Sequence, residues 1–180
     1  MNKAVVISLS IILTIFMSTS ALIGQTSSRA EFEEYCKTWE GRWIGDVTWI
    51  ADWPGMGKKG DKVTGYFESK IIADGNALSG VFYGGNGMET SIQYFDPGTK
   101  QIKGVAVSSG GTIFHWVVFK KEGKWQIFDT ASSLPDGRKF EGKGTLTISN
   151  GGKTLAWAGT ATIGGEKSDP WQDVWRRVSK

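Results

Sequence analysis

From Trp39 to the C-terminus, apolar and polar residues alternate with a period of two. In "KFEGKGTLTIS" the positions of Phe140, Gly142, Gly144, Leu146 and Ile148 oppose Lys139, Glu141, Lys143, Thr145 and Thr147. In "KTLAWAGTATI" Leu155, Trp157, Gly159, Ala161 and Ile163 oppose Thr154, Thr160 and Thr162. Successive side chains of a strand point to opposite faces, so each segment has one wet face and one dry face. Comparable segments recur near 39–50, 62–73, 77–84, 89–96, 101–108, 112–120, 124–132, 139–149, 153–163 and 171–178. Nearly all are joined by hairpin-length turns such as "ADGN", "DPGT", "KEGK" and "NGG". Strands in up-and-down order without a long crossover avoid exposed edges by closing on themselves. The pattern therefore predicts an all-β chain, a closed up-and-down antiparallel barrel of about ten strands.

The dry face carries large and small residues together. Trp39, Gly41, Trp43, Gly45 and Trp49 share one parity of "TWEGRWIGDVTWI". Glycine on an inward face lets a strand bend into closure and leaves room for an indole beside it.

Before Trp39 the period changes to that of a helix. Ser28 with Glu31 has capping-box spacing, and Phe32, Tyr35, Cys36 and Trp39 form one apolar stripe. A short N-terminal helix follows, suited to plug or cover the barrel. Residues 1–24, "MNKAVVISLSIILTIFMSTSALIG", have a basic start, an apolar stretch and small residues at its end, the three parts of a signal peptide. The expected division is a leader over 1–24, a linker and helix over 25–38, and the barrel over 39–180. The chain is expected to be exported to the periplasm or beyond, with membrane attachment only if the leader stays uncleaved.

Composition narrows the function. Lysine and arginine number 21 against 18 acids, with no long basic track, so a nucleic-acid partner is not expected. The chain has one cysteine, Cys36, which cannot close an internal disulfide and which Glu33 and Glu34 disfavour as a thiolate. One cysteine and one histidine cannot build the usual zinc sites, and no catalytic motif for acyl or phosphoryl transfer occurs.

"GRW" at Gly41–Trp43, after a short helix and opening the first strand, resembles the G-x-W signature of lipocalin-like barrels, the calycin group. Arg177 in "WQDVWRRV" resembles the basic residue that packs on that tryptophan where first and last strands meet. The resemblance implies that Gly41, Trp43 and Arg177 close the barrel. The "WEGRWIG" opening is also similar to small bacterial barrels of unknown function and, more distantly, to nitrobindin-like haem proteins. Those ligate iron through a late histidine; here the single histidine is His115, in mid-chain. No cofactor is expected, with haem on His115 as the alternative.

The expected function is binding or carriage of a small, largely apolar ligand. By parity, its lining is Trp49, Phe67, Tyr83, Tyr94, Trp125, Phe140 and Trp157. The glycine-rich loop Ala51–Lys62, carrying Trp53 and Met56, suits a lid, a flap or a contact surface. Two alternatives remain. One is a cyclase- or isomerase-type enzyme pairing Asp129 with His115 or Arg177; the other is a ligand-free envelope interaction module. In "TIFHWVVFK" both parities are apolar, so its outer face needs cover from the helix or a second copy of the chain.

Overall fold

The computed structural model describes residues 25–179, so residues 1–24, expected to be a signal peptide, lie outside the described residues. Helix α1 spans Arg29–Trp39. Ser28 and Glu31 close the capping box: the Ser28 hydroxyl accepts from the Glu31 amide, and the Ser28 amide donates to Glu31 Oε2 at 2.7 Å. The helix ends at Glu40, and the chain turns into the first strand at Gly41, whose φ of 114° favours glycine.

Twelve strands follow: β1 Gly41–Thr48, β2 Lys62–Ile72, β3 Ala77–Gly84, β4 Gly87–Asp96, β5 Gln101–Ser108, β6 Ile113–Lys121, β7 Lys124–Asp129, β8 Ser132–Ser133, β9 Lys139–Ser149, β10 Thr154–Ile163, β11 Glu166–Lys167 and β12 Trp171–Ser179. Ten of them form one closed antiparallel barrel, in which each strand pairs with its neighbour in the chain and β12 pairs with both β10 and β1. The two-residue β8 and β11 are additions at the rim. The segment expected as one strand over 124–132 breaks after Asp129, where the Thr130 amide turns to the His115 carbonyl.

The barrel has a filled end and an open end. At the filled end α1 inserts its stripe: Phe32, Tyr35, Cys36 and Trp39 pack with Trp43, Leu78, Ile102, Val118, Trp125, Leu146 and Leu155. Each large side chain removed from water in this layer contributes about 1.5–3 kcal/mol. The helix thus plugs the barrel and does not cover the outside of β6. On that outer face Val117 and Phe119 are buried, and Phe119 stacks on Phe128 of β7, ring centroids 5.4 Å apart.

Arg177 ties this end together. Its guanidinium lies 4.1 Å above the Trp43 ring and donates to the carbonyls of Thr38, Glu40 and Gly152, while Trp43 Nε1 donates to the Trp39 carbonyl at 2.8 Å. The last turn of the helix, the first strand and the last strand therefore share one hydrogen-bonded knot. Cys36 sits inside this layer, and burial, more than its acidic neighbours, pushes its thiol up to about 12. A thiol reagent such as dithiobisnitrobenzoate is expected to leave Cys36 unmodified in the folded protein at pH 8 and to titrate it fully in denaturant. Rapid native labelling would show that the plug opens.

Candidate functional site

Above the plug the interior is hollow. A cavity of about 300 Å³ is lined by indoles and phenyl rings, among them Trp39, Phe67, Trp116, Trp157, Trp171 and Trp175. Inward glycines make their placement possible. A Cβ on Gly45 would meet the Trp175 ring at 2.5 Å, and one on Gly104 or Gly159 would collide with Trp116 or Trp171.

The loop between β1 and β2 folds over the mouth. Trp53 and Met56 at its tip are buried, and Trp53 packs on Phe114 and Phe140 at 5.7 and 5.6 Å between centroids. The loop is held by its own backbone bonds, Trp53 to Gly57 in both directions, and the Asn86 amide donates to the Met56 carbonyl. Beneath it lies a second space of about 160 Å³ that shares Phe82, Glu89, Phe114, Phe140, Trp171 and Asp173 with the main cavity.

The cavity wall contains three carboxyl groups. Asp129, at the end of β7, accepts from the Ser132 hydroxyl at 2.6 Å and from the Gly142 amide. The missing side chain at Gly142 makes its space, since a Cβ there would lie 2.5 Å from Asp129 Oδ2. Burial raises the Asp129 carboxyl to about 7 against those hydrogen bonds. Glu89 on β4 is also raised to about 7, by burial first and by the charge of Asp129 second. Asp173 on β12 accepts from the Thr48 amide and is raised to about 6 by burial; its Oδ1 is buried without a partner. Low-dielectric surroundings disfavour the charged form, and no cation lines the cavity among the described residues to restore it.

Strand β4 is inverted relative to the rest of the barrel. Glu89, Ser91 and Gln93 point inward and line the cavity, whereas Ile92 and Tyr94 are 41% and 39% exposed on the outside. Gln93, only 4% exposed, accepts from the buried Tyr35 hydroxyl at 2.7 Å. A polar stripe facing a hollow interior is costly to the fold alone.

Of the residues expected to line a ligand site, Phe67, Phe140 and Trp157 border the cavity, and Trp49 borders the space under the β1–β2 loop. Trp125 lies in the filled end, edge-on to Tyr35 at 5.2 Å. Tyr83 and Tyr94 are corrections: both face outward, Tyr83 at 51% exposure, because the register Phe67 to Phe82 puts Phe82 inside. The parity of Gly80 with Leu78 and Phe82 signals this, by the same rule that holds for β1. His115 and Asp129 do not form a pair. Phe114 and Trp116 line the cavity, so His115 between them is directed to the outer face; Trp116 is the register partner of Asp129. The same placement takes His115 away from any haem held inside. Arg177 is committed to the opposite end of the barrel.

Among the described residues no three His, Cys, Asp or Glu side chains are grouped to hold a metal ion, and no helix is long and apolar enough to cross a membrane. No family model matches the chain and no curated protein is similar to it in sequence, which leaves the interior geometry to carry the functional reading.

Proposed function

We propose that this chain is an exported protein that binds or carries a small, largely apolar molecule inside its barrel. The observation that carries the proposal is the hollow upper half: about 300 Å³ walled by aromatic rings, plugged below by α1 and roofed by Trp53 and Met56. A barrel serving only as a scaffold gains nothing from leaving that volume open, since each unfilled space forfeits packing. The size lies at the lower end of the range of ligand pockets, and the closed barrel is compatible with a lipocalin-like carrier. Leader-dependent export follows from residues 1–24 and is part of the proposal.

Native mass spectrometry of the protein purified from its own host should reveal a bound small molecule. In Ser91→Phe a ring is projected into the cavity from β4, and occupancy is expected to fall at least tenfold with the circular dichroism of the barrel retained. A wild-type protein that is always empty, or a Ser91→Phe variant that keeps full occupancy, would sink the reading.

A further inference from the structure

The charge inside the barrel is one-sided. Glu89, Asp129 and Asp173 come from strands β4, β7 and β12 and line the one main cavity, and Glu89 and Asp173 also line the space under the β1–β2 loop. Ion pairs of the described residues involve none of the three; those pairs lie at other positions, such as Lys103 with Asp96 and Lys120 with Glu34. An acid withdrawn from water without a counter-charge is costly if ionised, and a fold needing only packing would place apolar residues there.

A feature independent of the acids also points to a ligand. Gln93 uses its carbonyl oxygen to accept from Tyr35, and its amide nitrogen makes no hydrogen bond to a described residue although the side chain is 4% exposed and lines the cavity. That nitrogen is polar capacity left for a bound molecule; the charge of the molecule is set by the acids. The remaining wall includes the indoles of Trp39, Trp116, Trp157, Trp171 and Trp175, a ring type whose face attracts cations. The acids are too spread to chelate a metal ion, and the volume far exceeds one.

We propose that the ligand is a small organic cation, an amine or quaternary ammonium on an apolar body, with its charged head among Glu89, Asp129 and Asp173 and its body against Trp116, Trp157 and Trp175. This deepens the binding role proposed above and rests on it. An anionic ligand meets three like charges; a neutral one leaves the acids without a counter-charge.

Calorimetric titration at pH 8 with three isosteric probes, 2-phenylethylammonium, 2-phenylethanol and phenylacetate, tests the assignment. The ammonium is expected to bind at least tenfold tighter than the alcohol, and phenylacetate not to bind measurably. In Glu89→Gln/Asp129→Asn, which keeps the shape and removes charge, that preference should fall to less than threefold. Equal binding of ammonium and alcohol to the wild type, or an unchanged preference in the double variant, overturns the cation assignment and leaves the carrier role standing. Failure of all three probes, with no molecule co-purifying from the host, overturns both.

Discussion

Truncating Trp43 to alanine is expected to lower the unfolding free energy by about 3–5 kcal/mol, the range for removing a fully buried large aromatic. The side chain is buried in the filled end, touches Trp39 edge-on at 6.3 Å, donates from Nε1 to the Trp39 carbonyl and lies under Arg177. Its loss opens a cavity and removes the surface on which the guanidinium rests. Arg177→Ala should cost about 2–3 kcal/mol, because the carbonyls of Thr38, Glu40 and Gly152 lose their donor. Arg177→Lys should recover little, since an ammonium cannot both stack on the ring and reach three carbonyls. The two truncations are expected to be non-additive by roughly 1 kcal/mol in a double-mutant cycle. Urea unfolding followed by far-ultraviolet circular dichroism supplies these values; a Trp43→Ala loss below 1 kcal/mol would show that the knot is not what closes the barrel.

Raising the pH should weaken this protein. Glu89 and Asp129 at about 7 and Asp173 at about 6 stand above their ordinary values of 4.5, 3.8 and 3.8, so the folded chain binds protons that the unfolded chain has released. Their contribution is therefore fully present below about pH 4 and is lost as pH rises through 6 to 7. The groups facing them from the surrounding strands are each other, with no lysine, arginine or histidine in the lining of the described cavity. Asp96, Glu68 and Asp136 are held below their ordinary range by neighbouring lysines, arginines and turn amides; they stay ionised across the window and add no slope. Unfolding free energy is expected to fall by about 2–4 kcal/mol between pH 5 and 8, less than three unscreened groups would give because all three border a hollow. Glu89→Gln/Asp129→Asn should remove most of that slope and be the more stable protein at pH 8. A wild type as stable at pH 8 as at pH 5 would show that the acids are solvated or paired when folded.

Architecture was legible because it rests on patterns that repeat. Period-two alternation, hairpin turns and glycines on the dry face recur in strand after strand, and the helix announced itself through Ser28, Glu31 and its apolar stripe. The site was legible only where it obeyed the same rule. Phe67, Phe140 and Trp157 are aromatic residues on dry faces and were found as such. Asp129 was found because its parity matches Trp125 and Ile127. Parity does not reveal Glu89 and Gln93 because β4 reverses the rule: its polar face looks inward, and its apolar parity points to Tyr94 instead. Asp173 lies between Trp171 and Trp175 at the start of the last strand, and only strand pairing shows that it lines the same cavity as residues 84 positions earlier in the chain such as Glu89.

The glycines beneath the indoles have a consequence for how such a pocket can change. Gly45, Gly65, Gly104 and Gly159 are absent from the cavity wall, yet each is the floor on which a wall indole lies: Trp175 on the first two, Trp116 on the third and Trp171 on the last. Adding one methyl at such a floor fills no void; it lifts a ring of nine heavy-atom positions into the hollow. The shape of the hollow can therefore drift through residues that never border it, and two barrels with identical wall side chains can enclose differently shaped spaces.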